Sequence, residues 1–161
     1  MVEVKLDKLE IGSGNKPKEG YLHFDVRPNV NADVIGDARK LPFKDEEFSE
    51  VYSRFFLEHL LRKDALVALS EMNRVLKKEG VIEIIVPNIA YFCKLYITEI
   101  GQKKEWALNK IYGFENYIED HHYFGYDEDT LSKALILSGF SIIERVIEEE
   151  QYLHLRAKKT N

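Results

Sequence analysis

An apolar run, Leu9-Glu10-Ile11, ends in Gly12-Ser13-Gly14, and an aspartate, Asp25, follows eleven residues after the second glycine. A strand feeding a Gly-x-Gly turn brings bare backbone N–H groups against a ligand, because no Cβ blocks the approach and positive φ costs little. Tyr21-Leu22-His23-Phe24-Asp25-Val26 reads as a second strand with an acid at its carboxyl end, and Asp33-Val34-Ile35-Gly36-Asp37-Ala38 as a third with another. In an open parallel sheet, ligands bind beyond the carboxyl ends of the strands, so glycines and acids are expected to converge on one crevice. Two carboxylates and a glycine turn suit a ribose and an adenine amine.

Neither phosphate-binding alternative fits. A nicotinamide site wants Gly-x-Gly-x-x-Gly opening a helix, but Pro17 holds the third position and no helix has room to follow. Lys18 lacks the preceding glycine and the following Ser or Thr of a P-loop.

The elements that must position these residues are spaced tightly. Strands are expected at Lys5–Ile11, Tyr21–Val26, Asp33–Ala38 and Glu50–Arg54. Only Asn15 to Gly20 separate the first turn from the second strand, whereas a helical crossover needs about a dozen residues. The early connections are therefore extended loops. From Lys63 to Lys78 apolar residues recur at three- and four-residue steps, an amphipathic helix stopped by Gly80. Val81–Pro87, nearly continuous in β-branched residues, suits a central parallel strand. Asn88 caps a helix through Ile97, a further helix spans Lys103–Tyr112, and Asp127 caps one that Gly139 ends. Ser141–Ile147 and Tyr152–Lys158 close the chain as an antiparallel pair. The expected fold is α/β, Rossmann-like, with a mostly parallel sheet and little helical cover on one face. It makes a single domain over residues 1–161, with 89–126 as an acceptor-side lid.

Leu9-Glu10-Ile11-Gly12-Ser13-Gly14-Asn15, the Asp25 strand end, Gly36-Asp37-Ala38-Arg39-Lys40-Leu41-Pro42-Phe43, Phe48–Ser53, Leu57-Glu58-His59-Leu60 and Arg74–Gly80 resemble, in order, the motifs of class I S-adenosylmethionine-dependent methyltransferases, nearest the type 11 group. The resemblance runs from about Lys8 to Asn88. It implies S-adenosylmethionine as cofactor, with Gly12, Ser13 and Gly14 as the floor of the pocket. Asp25 would accept both ribose hydroxyls, and Asp37 with the N–H of Ala38 would meet the adenine. Ser53 and Phe55 match positions that line the methionine portion, with core packing as the alternative. Glu10 matches a position near the methionine ammonium, the alternative being a solvated strand-edge acid. His59 falls near the transferable methyl, where its ordinary pKa would let it relay a proton, against a packed histidine. The implied chemistry is in-line displacement at a sulfonium carbon, in which alignment matters more than a catalytic dyad.

Adjacent His121 and His122 with Glu119 and Asp120 lack the spaced donors of a zinc site, so no metal is expected there. Cys93, alone in an apolar helix, reads as a small buried side chain and agrees with a reducing, cytoplasmic compartment. Met1–Lys5 carry no apolar signal core, and no run suits a membrane span. A net charge of −5 disfavours nucleic acid as the main partner. Aromatics from Tyr91 to Phe124 suggest a flat or apolar small-molecule acceptor, with a protein acceptor also open. The missing crossover helices should leave apolar strand residues bare, pointing to a homodimer. A non-catalytic cofactor-binding subunit is the rival class.

Overall fold

The computed structural model describes residues 6–114, 116, 118–146 and 149–160. Met1–Lys5, which include the expected first residue of strand one, and Ile147, the expected last residue of the penultimate strand, lie outside them. Seven strands, β1 Lys8–Ile11, β2 Leu22–Asp25, β3 Val34–Ile35, β4 Phe48–Arg54, β5 Leu76–Pro87, β6 Phe140–Val146 and β7 Tyr152–Lys159, form one sheet in the order β3-β2-β1-β4-β5-β7-β6. The pairs from β3 to β5 are parallel, and β7 runs antiparallel to both its neighbours. Among the described residues, four α-helices accompany them: α1 Arg62–Val75, α2 Ile89–Thr98, α3 Gln102–Tyr112 and α4 Glu128–Leu137. As the spacing required, no helix lies between β1 and β4.

One face of the sheet is apolar. Leu9, Ile11, Phe24, Val51, Ile82, Ile84, Val86, Leu153, Leu155 and Ala157 join one buried core with Ala65, Ala68, Leu69, Met72 and Val75 of α1 and with Leu131 and Leu135 of α4. The loop after β3 covers the helix-free end by inserting Ala38, Leu41 and Phe43, whose ring meets Phe24 and Phe48 edge-on at 6.1 and 5.0 Å. Arg74 of α1 staples that loop down, donating to the carbonyls of Phe43 (2.9 Å) and Leu41 (3.1 Å), while Glu71 accepts from the Leu41 N–H at 2.8 Å.

The opposite face corrects the premise behind the expected homodimer. Most strand residues there are charged or aromatic, Ile85 being an aliphatic exception: Lys8 pairs with Glu50 at 3.0 Å, and Glu83 meets the Nε2 of His154 at 3.0 Å, with Arg156 at 3.8 Å and Lys18 at 3.9 Å. Lys18 and Tyr21, from the short β1–β2 loop, pack on Tyr52. A parallel sheet normally needs helices on both faces, but an ion-paired face is satisfied by water.

Two further expectations are corrected. α1 stops at Val75, not Lys78, because Leu76 already pairs with Phe48 as the first residue of β5. The register then shifts before Glu50 and Val81 pair. Gly80 sits in that shift, where a Cβ would lie 2.8 Å from the Lys77 carbonyl oxygen. Cys93 is exposed, because α2 buries only Phe92, which meets Trp106 of α3 at 5.2 Å. The caps agree with expectation. Asn88 accepts from the Ala90 N–H, and Asp127 forms a reciprocal capping box with Thr130.

Candidate functional site

The order of strands reverses between β1 and β4, and the residues of interest gather beyond the carboxyl ends of these strands. Gly12 and Gly14 adopt φ of 73° and 58°, the left-handed region that favours glycine. The N–H groups of Gly12 and Ser13 donate to the Phe24 carbonyl at 2.8 and 3.2 Å, and that of Gly14 donates to Oδ2 of Asp25 at 2.9 Å. A Cβ on Gly12 would come within 3.0 Å of the Phe56 side chain, so the turn and the segment after β4 touch.

Asp25 is 5% exposed. Its Oδ1 accepts from the backbone N–H of Arg27 at 2.9 Å and from Nε at 3.2 Å, while Nη2 reaches Oδ2 at 3.4 Å. Burial works to raise this carboxyl, but the Arg27 and Gly14 hydrogen bonds outweigh it and hold the group below the usual carboxylate range.

A crevice of about 250 Å³ opens beside this acid, walled by Gly12, Phe24, Asp25, Val26, Arg27, Gly36, Ala38, Phe55, Phe56, His59, Leu60, Ile118, Glu119 and Tyr123. A second, wider lobe of about 740 Å³ shares Gly12, Arg27 and Phe55 with it and adds Glu10, Ser13, Gly14, Lys18, Tyr52 and Arg54. Arg27 and Phe55 thus stand between the lobes. Phe55 holds a φ of 53°, a strained conformation for a residue with a Cβ, and its ring packs on Tyr152 at 5.0 Å. Another hollow, of about 590 Å³, lies between α2 and the β6–β7 hairpin and includes none of the glycine turn or the strand-end acids.

Not every expected residue faces the crevice. Asp37 turns outward: its carboxylate caps the Arg39 N–H and pairs with the Arg39 guanidinium at 2.6 Å, while Gly36 and Ala38 on either side line the crevice. The expected convergence of two carboxylates is therefore reduced to Asp25. Ser53 is 1% exposed and donates its hydroxyl to the Ile11 carbonyl at 3.1 Å, which ties β4 to β1. Glu10 lines the wider lobe, accepts from the Lys18 N–H at 2.7 Å and lies 3.5 Å from His23; burial raises its pKa. The buried Ser13 hydroxyl has no partner among the described residues.

His59 does line the crevice. Its Nδ1 donates to the His121 carbonyl at 3.2 Å, and burial lowers its pKa. Beside it stand Glu58, buried, and His122, whose ring meets that of His59 at 4.7 Å. Arg27 and Phe56 were not among the expected site residues, whereas Tyr123 belongs to the aromatic segment expected on the acceptor side. For Arg27 the available signal was its place two residues after a strand-end aspartate, where an Asx turn returns it to the carboxylate.

Residues 9–84 match the family model described as a methyltransferase domain, type 11. The demethylmenaquinone methyltransferase of Staphylococcus haemolyticus is 46% identical over 91 residues, 55% of this chain and 34% of that protein. The chain thus spans about a third of the length of this curated relative. Among solved structures, an S-adenosylmethionine-dependent methyltransferase of Thermotoga maritima, described as a possible histamine N-methyltransferase, superposes with a TM-score of 0.65 at 18% identity, over 95% of this chain and 82% of that one. The Burkholderia thailandensis 1,6-didemethyltoxoflavin-N1-methyltransferase, solved with bound 1,6-didemethyltoxoflavin and S-adenosylhomocysteine, gives a TM-score of 0.62 at 16% identity, over 96% and 71%. These structural likenesses show the fold. Residues 9–84 are thus similar to the type 11 methyltransferase domain, and the fold of the chain is that of Rossmann-like S-adenosylmethionine-dependent methyltransferases. The part matched by the type 11 model runs from β1 into β5 and holds the glycine turn, Asp25 and His59.

Proposed function

We propose that this protein transfers a methyl group from S-adenosylmethionine to a small-molecule or protein acceptor. The carrying observation is the juxtaposition, at one reversal of strand order, of the Gly12–Gly14 turn, buried Asp25, Ala38 and Phe55 around a two-lobed crevice. On this reading the ribose lies against Asp25, the adenine beside Gly36 and Ala38, and the methionine portion past Phe55 toward Glu10 and Ser13. Asp37 has no place in the adenine contact unless it exchanges Arg39 for the ring.

The acceptor enters from the side of residues 89–126, which contribute Ile118, Glu119 and Tyr123 to the crevice wall. The cofactor supplies the electrophilic carbon. The chain's task is to hold acceptor, methyl and sulfur in line, worth several kcal/mol and up to about 10. Demethylmenaquinone belongs in an acceptor panel because relatives are named for it, but the matched segment is the cofactor half of the fold.

Calorimetry with S-adenosylhomocysteine, using Asp25→Ala as control, tests occupancy, and transfer of labelled methyl to an acceptor panel tests turnover. Binding that Asp25→Ala weakens by roughly 10- to 100-fold, with turnover on at least one acceptor, is the expected result. Absence of binding by the unaltered chain would reject the proposal. Binding without turnover across the panel would favour the non-catalytic subunit.

A further inference from the structure

Glu58 is 2% exposed, and neither of its carboxylate oxygens has a hydrogen-bond partner among the described residues. A carboxyl so placed calls for a compensating donor or cation, because burying an unpaired polar group costs several kcal/mol. Lys110 acts on it only through space. What stands beside it are two imidazoles: one ligand-competent atom from each of Glu58, His59 and His122 lies within 4.8 Å of the other two.

Both imidazoles are oriented from behind. Nδ1 of His59 faces the His121 carbonyl at 3.2 Å and Nδ1 of His122 faces the Lys110 carbonyl at 3.0 Å. A carbonyl can only accept, so each Nδ1 carries the proton and each Nε2 keeps its lone pair. Ring N–H donation to a backbone carbonyl is the outer-sphere arrangement that fixes histidine ligands on metals. Two imidazoles, each with a ring nitrogen free to ligate, and a carboxylate therefore stand in one place, with no donor to the carboxylate among the described residues.

We propose that Glu58, His59 and His122 form a binding site for one divalent transition-metal ion of the zinc type. Two imidazoles and one carboxylate suit zinc and its borderline neighbours, not the hard cations magnesium and calcium, which want oxygen ligands. Three protein ligands leave a further coordination position for water or a ligand oxygen. The ion would also clasp the turn after β4 to the segment ahead of α4, where the Glu58 carbonyl already accepts from the N–H groups of Tyr123 and Phe124. His59 would then spend its lone pair on the ion instead of on an acceptor's proton. The expected site differs from the rejected His121–His122 pair with Glu119 and Asp120: it takes one of those histidines and two residues from the other half of the chain.

The test is zinc binding by the full chain, stripped with chelator and desalted, with no methyl donor present. Calorimetry should give one site per chain for Zn²⁺ and none for Mg²⁺, and Co²⁺ should give the visible d–d bands of a low-symmetry nitrogen and oxygen site. Glu58→Gln, close in shape, and His122→Ala should each weaken zinc by more than the roughly 10- to 100-fold that loss of an outer partner costs. Cys93→Ser should leave it unchanged. Should a variant misfold, zinc-edge X-ray absorption on the unaltered chain decides: two imidazoles and no sulfur support the site. No stoichiometric zinc binding, sulfur ligation, or affinity untouched in folded Glu58→Gln and His122→Ala would overturn it.

Discussion

The Arg27 guanidinium lies along the Asp25 carboxylate, Nε 3.2 Å from Oδ1 and Nη2 3.4 Å from Oδ2, at the seam between the two lobes of the crevice. A ribose reaching Asp25 would compete with this side chain for the same oxygens. Asp25→Ala should weaken S-adenosylhomocysteine by roughly 10- to 100-fold, since hydrogen bonds to a charged acceptor are worth about 1.5–3 kcal/mol. Arg27→Ala should do the reverse, tightening binding several-fold, about 1 kcal/mol, by releasing the acceptor. Weaker binding in Arg27→Ala, measured by the same calorimetry, would mean that the guanidinium serves the cofactor directly.

The staple from α1 to the loop after β3 gives a stability test away from the crevice. Arg74 donates to two loop carbonyls and to Glu71, and its partner Glu71 accepts the Leu41 N–H. Arg74→Met keeps the aliphatic stem but strands the carbonyls, and should cost about 1–3 kcal/mol in urea unfolding. A loss below about 0.5 kcal/mol would show that water replaces the guanidinium there.

The charged face of the sheet yields a contrast with the apolar one. Glu83 faces His154, Arg156 and Lys18, so Glu83→Leu leaves like charges crowded and should destabilise by about 1–2 kcal/mol, less at high salt. The chain should also sediment as a monomer at micromolar concentration, since this face offers ion pairs instead of an apolar patch. A dimer at that concentration would restore the two-copy arrangement the sequence suggested.

What the sequence disclosed follows a physical pattern. The glycine turn and the strand-end acid were legible because positive φ and parallel-strand geometry are local. The caps at Asn88 and Asp127 were legible for the same reason. Leu76 was not, since an apolar residue suits the last turn of α1 as well as the first pair of β5, and contact with Phe48 decides it. Nor was Asp37, whose neighbouring Arg39 draws it outward. The meeting of His122 with Glu58 and His59 depends on the path of three helices and a strand between them, which no local pattern encodes.

Cys93 provides a direct check on one such misreading. α2 is apolar on more than one side, yet only Phe92 is buried, so the thiol faces water. A thiol reagent should titrate one cysteine per native chain at the rate of an accessible thiol. Reaction only after denaturation would place α2 against something that covers it.

Acid should destabilise the chain in a definite order of causes. The Thr130 hydroxyl and backbone N–H, in the capping box of α4, hold the Asp127 carboxyl below its ordinary value. A carboxyl depressed in the folded chain adds stability at every pH above its unfolded value, near 3.9, and loses it as pH falls through the folded value. Asp25 and Glu71 are depressed as well, the latter by its hydrogen bond to Arg74, so the three should act together below about pH 4. Asp127→Ala should cost about 0.5–2 kcal/mol at neutral pH, the worth of a helix cap, and nothing further at low pH, where the native cap is already protonated. Unfolding free energies of the two chains, followed from neutral pH down through the acid range, measure this; a difference that persists undiminished in acid would show that the cap acts through its shape and not through its charge.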